Sequence, residues 1–233
     1  MSGPAAVLFD MDGLLVDSEP VWTIAEQELA TSLDGVFSPE LKAAIVGTRI
    51  EVAVPTILRW YDVPAAPSDV ARTTAWLLAR MVELFAGELR VLPGAAELLA
   101  EVRAAGIPVA LVSSSYRVLV DAVLATGIGP FDLTLAGDEV VHGKPHPEPY
   151  LTAAARLGVA PADCVVLEDS PSGVTSAEAA GCFVVACPSV AGTAFSASPQ
   201  RLVVPTLVGL ELAQLRREAI ACAALAVAVD CSE

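Results

Sequence analysis

A chain of 233 residues, 55% of them hydrophobic, is long enough for one large domain or for a core with a smaller insert, and too apolar to be disordered. Its formal charge of -15, with thirteen basic residues, repels phosphate backbones and argues against nucleic-acid binding. Local cations and backbone amides must therefore hold any anionic substrate.

The sequence carries no signal for export or membrane insertion. The first ten residues, MSGPAAVLFD, lack a basic region followed by an apolar stretch, so we expect no signal peptide. No apolar run approaches the roughly 20 residues that span a bilayer, and the apolar tail at 219–229 is short enough for a packed helix or strand. The five cysteines lack CxxC spacing, which favours reduced, buried thiols. We therefore expect a cytoplasmic protein without a membrane partner.

Four short apolar runs predict the strands of a parallel sheet that is buried on both faces. These runs lie at 6–10, 107–115, 164–170 and 182–187. Helical patterns that each end on Gly separate them, at 93–106, 117–129, 147–158 and 172–181. Strands that alternate with helices form right-handed βαβ units. The predicted fold is therefore α/β, a Rossmann-like doubly wound parallel sheet.

The segment between the first and second predicted strands breaks this alternation, because its pattern is mostly helical. An all-helical insert at this point is placed to act as a lid over the carboxyl edge of the sheet. We therefore predict two domains: an α/β core formed by residues 1–17 and 92–233, and a small helical cap formed by residues 18–91.

Polar residues follow the predicted strands at the point where each strand ends. Asp10 and Asp12 follow the first strand, and side chains two residues apart on an extended chain project to the same side. Ser113 precedes a helix N-terminus, which is a natural anion site, and Glu168 and Asp169 end a third strand. Ligands of doubly wound sheets bind at this edge, so we expect these residues to share one site.

A lysine joins this group from the sequence HGKPHPEP, where Lys144 is held by a Gly and three prolines. The chain has eleven arginines and two lysines, so a lysine here departs from the usual choice of cation. A compact ammonium, unlike a guanidinium, puts a point charge between a carboxylate and a phosphate.

The predicted site has the composition of a phosphoryl-transfer centre. Several carboxylates at one edge cannot all stay charged without a cation. An all-oxygen set suits Mg²⁺, which takes one or two carboxylates together with waters and phosphate oxygens. With the metal and Lys144 present, Asp10 can attack phosphorus and form an aspartyl-phosphate. Asp12 can protonate the leaving oxygen and then deprotonate the hydrolytic water.

Four stretches, FDMDGLLVDSEP, LVSSS, GKPHPEPY and VVLEDSPSGVTSAEAAG, resemble the ordered motifs of the haloacid dehalogenase (HAD) superfamily. Within it they are similar to the branch of sugar-phosphate phosphatases and β-phosphoglucomutase, and the resemblance spans residues 7 to about 190. The cap lies where that branch inserts its helical cap. The site residues that the resemblance implies are the nucleophile Asp10, the acid/base Asp12, the phosphate-binding Ser113, Ser114 and catalytic Lys144, and the metal ligands Asp10, Asp12 (through its backbone carbonyl), Glu168 and Asp169.

The resemblance also implies substrate contacts from the cap. Arg49, in IVGTRIEVAV, matches the segment that faces the active site in this branch, and Gly47 belongs to the same segment. Glu19, at the hinge into the cap, is placed to orient toward substrate. The mutases carry a His where this sequence has Trp22, so water is the expected phosphoryl acceptor. Trp22 itself either packs against a sugar face or belongs to the cap core.

The sequence therefore predicts a monomeric, Mg²⁺-dependent phosphomonoesterase acting on a small phosphorylated metabolite, a sugar or sugar-alcohol phosphate. A β-phosphoglucomutase-like mutase remains an alternative and would need another gating residue and a bisphosphate activator. A phosphonate hydrolase would need a cap lysine, and the one candidate, Lys42, is predicted to be exposed. A non-catalytic regulatory protein on this scaffold is the third alternative, although it would be expected to have lost one of the main site residues.

Overall fold

The computed structural model describes residues 3–189, 193–196 and 198–230, and six of its strands form one parallel sheet. The strands are β1 (Ala6–Phe9), β2 (Val16–Asp17), β3 (Arg90–Val91), β4 (Val109–Val112), β5 (Leu133–Leu135), β6 (Cys164–Glu168), β7 (Phe183–Ala186) and β8 (Arg201–Val203). The order in the main sheet is β5-β4-β1-β6-β7-β8, so the first strand lies in its middle. The predicted doubly wound α/β fold is confirmed.

Helices connect the strands of this sheet and cover its faces. They are α1 (Glu19–Ser32), α2 (Pro39–Ile45), α3 (Ile50–Trp60), α4 (Pro67–Glu88), α5 (Ala95–Ala104), α6 (Arg117–Ala125), α7 (Glu148–Leu157), α8 (Pro171–Ala179) and α9 (Leu212–Asp230). The four predicted strands coincide with β1, β4, β6 and β7, and α5 to α8 coincide with the predicted helices. The sequence interpretation did not find β5 and β8, because three-residue strands are too short to show a periodicity.

Alternation along the central strand divides the core into two layers. Val7 and Phe9 belong to one hydrophobic cluster, and Ala6 and Leu8 belong to a second cluster. Successive side chains of a strand point to opposite faces of the sheet, so the two clusters lie on the two faces. All four residues are 0% exposed, which is the burial expected of a parallel strand covered on both sides. This burial fixes β1 rigidly, and with it the residues that follow.

Helices α1 to α4, which we call the helical insert (residues 19–88), lie between β2 and β3. These two short strands pair antiparallel, with Val16 opposite Val91, so the chain leaves and re-enters the α/β part at one point. The division into a core domain and a cap domain stays a prediction.

The apolar tail at 219–229 lies within the C-terminal helix α9. Over the part of the chain that the structure describes, none of the helices is both long and apolar enough to cross a membrane. Cys164 and Cys182 are buried free thiols, and Cys187 and Cys222 are half-buried free thiols. Cys231 lies outside the described residues.

Candidate active site

Three neighbouring strands deliver the polar residues to one edge of the sheet. Phe9 is in register with Leu111 on one side and with Leu167 on the other. The residues that follow these positions therefore lie level with one another at the carboxyl ends of the strands. Asp10 donates its backbone N–H to Leu167 O over 3.0 Å, which continues the sheet by one residue. The structure brings Asp10, Ser113, Glu168 and Asp169 to this edge together, as the strand pattern predicted.

Lys144 lies at the centre of this group. Its Nζ donates to Asp10 Oδ1 over 2.5 Å, to Glu168 Oε1 over 2.6 Å and to the carbonyl of Val112 over 3.0 Å. The lysine side chain is only 3% exposed. Burial alone would lower the pKa of Lys144, but the charges of Asp10 and Glu168 outweigh burial and raise that pKa above its usual value. The ammonium therefore stays charged and holds two buried carboxylates close together.

Glu168 is completely buried, and both of its oxygens accept hydrogen bonds from the protein. Oε1 accepts from Lys144 Nζ and, over 2.8 Å, from the Tyr150 hydroxyl. Oε2 accepts from the backbone N–H of Asp169 and from the N–H and hydroxyl of Ser170, at 3.0 to 3.1 Å. A Cβ at Gly173, in the first turn of α8, would collide with this carboxylate. Glu168 is therefore held rigidly between Lys144 and the N-terminus of a helix.

Asp10, Glu168 and Asp169 each present an oxygen within 4.8 Å of the other two. Burial raises the pKa of Asp10 well above its usual range. The charges of the other carboxylates raise it as well, and the charge of Lys144 only partly opposes them. Burial and the charge of Glu168 raise the pKa of Asp169 to about 7. One lysine thus does not neutralise the group, and a divalent cation among these oxygens would relieve the remaining repulsion.

Asp169 is packed against the turn that follows the first strand. Its Oδ2 accepts a hydrogen bond from the Ser189 hydroxyl. Gly13 has a φ of +79°, and a Cβ there would collide with the same Asp169 oxygen. The glycine therefore serves two purposes, since it adopts a left-handed conformation and leaves room for a candidate metal ligand.

Asp12 is surrounded by hydroxyl donors. Ser18 Oγ donates to its Oδ1 over 2.6 Å, while Ser115 Oγ and Ser113 Oγ donate to its Oδ2 over 2.8 and 3.2 Å. Ser114, the other serine predicted to bind phosphate, is exposed at the same loop. The carboxylate of Asp12 is therefore directed at the serine loop, and it is held there in part by Ser18, the residue just before the helical insert.

Of the residues predicted to contact substrate from the cap, Arg49 reaches the loops near the site, whereas Glu19 and Trp22 make other contacts. Arg49 reaches the α/β part, where its Nη2 donates to Gly137 O over 3.2 Å. Glu19 lies 2.5 Å from Lys42 Nζ in an ion pair within the insert, and Trp22 is partly buried against the main hydrophobic cluster.

Gly47 makes no contact that would place it at the site, and Lys42 is less exposed than predicted. Gly47 is exposed with a φ of +70°, and a Cβ there would meet no atom within 4 Å. Lys42 was predicted to be exposed, and this is wrong: its side chain is 22% exposed because it pairs with Glu19 and Glu26. Two carboxylates raise the pKa of Lys42 despite its burial, which is unfavourable for a Schiff-base lysine.

Sequence reasoning missed several residues that hold the site together. Ser18, Tyr150 and Ser189 each hydrogen-bond a predicted site residue. Ser18 and Tyr150 lie inside motifs that carry the family resemblance, which is a signal that could have pointed to them. Ser189 lies after β7 and has no such signal, because its contact with Asp169 arises from the strand order alone.

A family model of haloacid dehalogenase-like hydrolases matches residues 4–181, which is more than half of the chain. The chain belongs to the haloacid dehalogenase-like hydrolases. The family predicted from the four motifs is thereby confirmed, and the matched range includes the carboxylates, the lysine and the serine loop described above.

Relatives with phosphatase activity in their names support the same class of enzyme. Hexitol phosphatase B of Escherichia coli (strain K12) is 36% identical over 183 residues, 75% of this chain and 79% of that protein. A probable pseudouridine-5'-phosphatase of Drosophila melanogaster is 34% identical over 189 residues, 78% of this chain and 80% of that protein.

Among solved structures, a mutant of CbbY from Rhodobacter sphaeroides, in complex with xylulose-(1,5)bisphosphate, superposes with a TM-score of 0.80. It is 30% identical, and the match covers 91% of this chain and 99% of that one. Together with the named phosphatases, this likeness classes the chain as a phosphoric monoester hydrolase of the HAD-like family.

Proposed function

We propose that the enzyme hydrolyses the phosphate monoester of a small sugar or sugar alcohol through an aspartyl-phosphate on Asp10. The observation that carries this proposal is the position of Lys144, whose buried ammonium binds both Asp10 and Glu168 at the carboxyl edge of the sheet. A cation there is suited to hold a phosphoryl group beside the carboxylate that attacks it. The relatedness to hexitol phosphatase B supports the substrate class.

The first half of the reaction transfers the phosphoryl group to the enzyme. An oxygen of Asp10 attacks phosphorus, and the bond between phosphorus and the ester oxygen breaks. Asp12 gives its proton to that oxygen, so the sugar leaves as a neutral alcohol. The three serine hydroxyls around Asp12 support this role, because they can hold its carboxyl group in either protonation state.

The second half returns the enzyme to its starting state. Asp12, now a carboxylate, takes a proton from a water molecule, and the resulting hydroxide attacks phosphorus. The bond between phosphorus and Asp10 breaks, which releases inorganic phosphate. Ser113, the exposed Ser114 and Lys144 are the groups that we assign to the phosphate oxygens, since the serines lie just before helix α6.

The carboxylates present fit a divalent cation, and we propose that it is Mg²⁺. Asp10 and Asp169 are the carboxylate ligands that we favour, with the backbone carbonyl of Asp12. Glu168 reaches the same cluster but already accepts five hydrogen bonds from the protein, which assigns it first to positioning Lys144. When bound, the metal would neutralise the carboxylate repulsion and polarise the phosphoryl oxygens.

The acceptor separates this proposal from its main alternative, a phosphosugar mutase. Trp22 replaces the His that the resemblance associates with mutases, and it packs against the main hydrophobic cluster, where it offers no proton-transfer group. This supports water as the acceptor. Lys42, the one lysine available for phosphonate chemistry, is engaged with two carboxylates and supports no Schiff-base mechanism.

The test is phosphate release from a panel of sugar, polyol and nucleoside monophosphates, with Mg²⁺ and then with EDTA. We expect Mg²⁺-dependent release that concentrates on hexose and hexitol phosphates. Asp10→Asn should abolish release and keep the circular dichroism spectrum, while Asp69→Asn, a half-buried control in the first turn of α4 that pairs with Arg72, should retain full activity. Conversion of β-glucose 1-phosphate to glucose 6-phosphate with an added bisphosphate, without phosphate release, would instead identify a mutase.

A further inference from the structure

The two histidines of the chain, His142 and His146, lie side by side on the loop that carries Lys144. Their ring centroids are 4.7 Å apart, and the ring planes are tilted by 46°. Both histidines are exposed, whereas Lys144 between them is buried and donates to Asp10. The reaction proposed above uses neither imidazole, so the pair is available to bind a ligand from solvent.

Hydrogen bonds to the backbone hold this loop in place on both sides of the lysine. Glu148 Oε1 accepts from the N–H of Val141 over 2.8 Å, and Oε2 accepts from the N–H of His142 over 2.9 Å. The carbonyl of His146 accepts from the buried Ser176 hydroxyl of α8 over 2.6 Å. The two imidazoles therefore project from a backbone that is already fixed, which reduces the entropy lost when one ligand joins them.

Two imidazoles in this arrangement fit a divalent transition metal. Each coordinating nitrogen lies about 2 Å from such an ion, so two of them are roughly 3 Å apart and their rings are neighbours, as here. Imidazole nitrogen suits Zn²⁺, Ni²⁺ and Cu²⁺, whereas Mg²⁺ prefers oxygen ligands. The pair therefore selects a different class of cation from the carboxylate cluster of Asp10, Glu168 and Asp169.

The carboxylate of Glu148 adds a negative charge beside the two rings. The hydrogen bonds that it accepts from the N–H groups of Val141 and His142 lower the pKa of Glu148, so the group stays ionised and favours a nearby cation. The backbone N–H of Glu148 also donates to His146 Nδ1 over 3.2 Å. A metal on Nε2 would place the ring proton on Nδ1 and break this exposed bond, so we expect the affinity to be moderate.

We propose that His142 and His146 form a surface site for a divalent transition metal, with both imidazoles as ligands and water in the remaining positions. Each histidine lies two residues from Lys144, so the metal would bridge the loop across the lysine without binding it. This inference goes beyond the proposed function and does not depend on it.

The test measures Ni²⁺ binding by calorimetry to the full chain without an affinity tag, with saturating Mg²⁺ present to occupy the carboxylate site. We expect one Ni²⁺ per chain. His142→Asn and His146→Asn should each weaken binding at least about tenfold, because one imidazole of the linked pair is lost. In NMR spectra the imidazole signals of both histidines, which are the only two in the chain, should broaden together as Ni²⁺ is added.

Asp169→Asn is the matched control, because it removes a carboxylate of the proposed Mg²⁺ site and leaves the histidine loop unchanged. It should bind Ni²⁺ as the wild-type protein does. Full binding in either histidine variant, or weaker binding in Asp169→Asn alone, would overturn the histidine site. Broadening of one imidazole alone, or no Ni²⁺ binding by the wild-type protein, would overturn it as well. All of these outcomes leave the phosphatase proposal standing.

Discussion

The hydroxyl of Tyr150 and the ammonium of Lys144 converge on the same oxygen, Oε1 of Glu168, at 2.8 and 2.6 Å. The ring of Tyr150 also faces the ammonium, with Nζ 5.0 Å from the ring centroid, a distance at which cation–π attraction operates. Tyr150 is fully buried in α7, between the lysine loop and β6. A rigid helix thus fixes the lysine and its carboxylate partner, although Tyr150 does not reach Asp10.

Tyr150→Phe should therefore impair catalysis more than substrate binding. The substitution keeps the ring and removes the hydroxyl, which leaves Glu168 with one fewer buried donor, at a cost of about 1–3 kcal/mol in unfolding free energy. We expect kcat to fall about tenfold with KM nearly unchanged, because Lys144 is less well fixed against Asp10. Steady-state kinetics with the best monophosphate substrate, together with urea unfolding, measure both effects.

Val166→Ala provides a control of comparable instability for this positioning role. Val166 is fully buried in β6, in the same hydrophobic cluster as Tyr150. It should lower the unfolding free energy by a similar amount without changing kcat at a temperature where both variants are folded. An equal loss of kcat in both variants would show that Tyr150 acts only through stability.

Such positioning residues mark the limit of what the sequence could predict. Four strands and the site edge followed from apolar runs that end in polar residues, because the carboxyl ends of neighbouring parallel strands meet. The partners of those polar residues could not be derived in the same way. Lys144 and Asp10 lie 134 residues apart, and which oxygen the lysine binds depends on how α7 packs. Lys42 was misplaced for the same reason, since its burial comes from α1 lying against it.

Gly13→Ala should disrupt the proposed metal site as well as the turn. A Cβ at this position meets Asp169 Oδ2 and, at 2.8 Å, Ser189 Oγ, so the carboxylate has to move. We expect activity to fall at least about tenfold and the Mg²⁺ concentration for half-maximal activity to rise, because a displaced ligand weakens coordination. A Mg²⁺ titration of phosphate release measures both quantities.

Gly127→Ala separates the clash from the backbone strain. Gly127 has a φ of +94°, but a Cβ there would meet no atom within 4 Å. This variant should lose about 1–2 kcal/mol of unfolding free energy from the left-handed conformation and should keep its Mg²⁺ dependence. If both variants shifted the Mg²⁺ dependence equally, the close approach of Gly13 to Asp169 would not matter for metal binding.

Ser18→Ala should slow the proton transfer that we propose for Asp12. The Ser18 hydroxyl is buried and donates to Asp12 Oδ1 over 2.6 Å, so its loss frees the carboxylate to turn toward the remaining serines. We expect kcat to fall by about 3- to 30-fold, with a smaller effect on substrates whose leaving group needs no proton, such as p-nitrophenyl phosphate. Ser32→Ala, which removes a hydroxyl bonded only to the Leu29 carbonyl in the same helix, should leave the ratio between the two substrate types unchanged.

Two glutamates of α1 should give opposite contributions to the pH dependence of stability. Burial raises the pKa of Glu26 despite its bond to Lys42, whereas the hydrogen bond from Arg80 lowers the pKa of Glu28. Because the folded state binds the proton of Glu26 more tightly, this residue's contribution to the unfolding free energy decreases as pH rises from about 4.3 through the folded pKa. Glu28 contributes stability that is present above about 4.3 and is lost as pH falls through its lowered folded pKa.

Urea unfolding of Glu26→Gln and Glu28→Gln between about pH 3 and pH 7 tests these signs directly. Relative to the wild-type protein, Glu26→Gln should become progressively more stable as pH rises, because the substitution removes a group that is costly to ionise in the folded state. As pH rises through the acid end of the range, Glu28→Gln should become progressively less stable than the wild-type protein, because it lacks the ion pair that the ionised Glu28 makes with Arg80 at 2.6 Å. The Glu28 effect should be small, since the pair lies at the surface. Slopes of the same sign for both variants would contradict the assigned environments, and a flat difference for Glu26→Gln would mean that Lys42 fully offsets the burial of its partner.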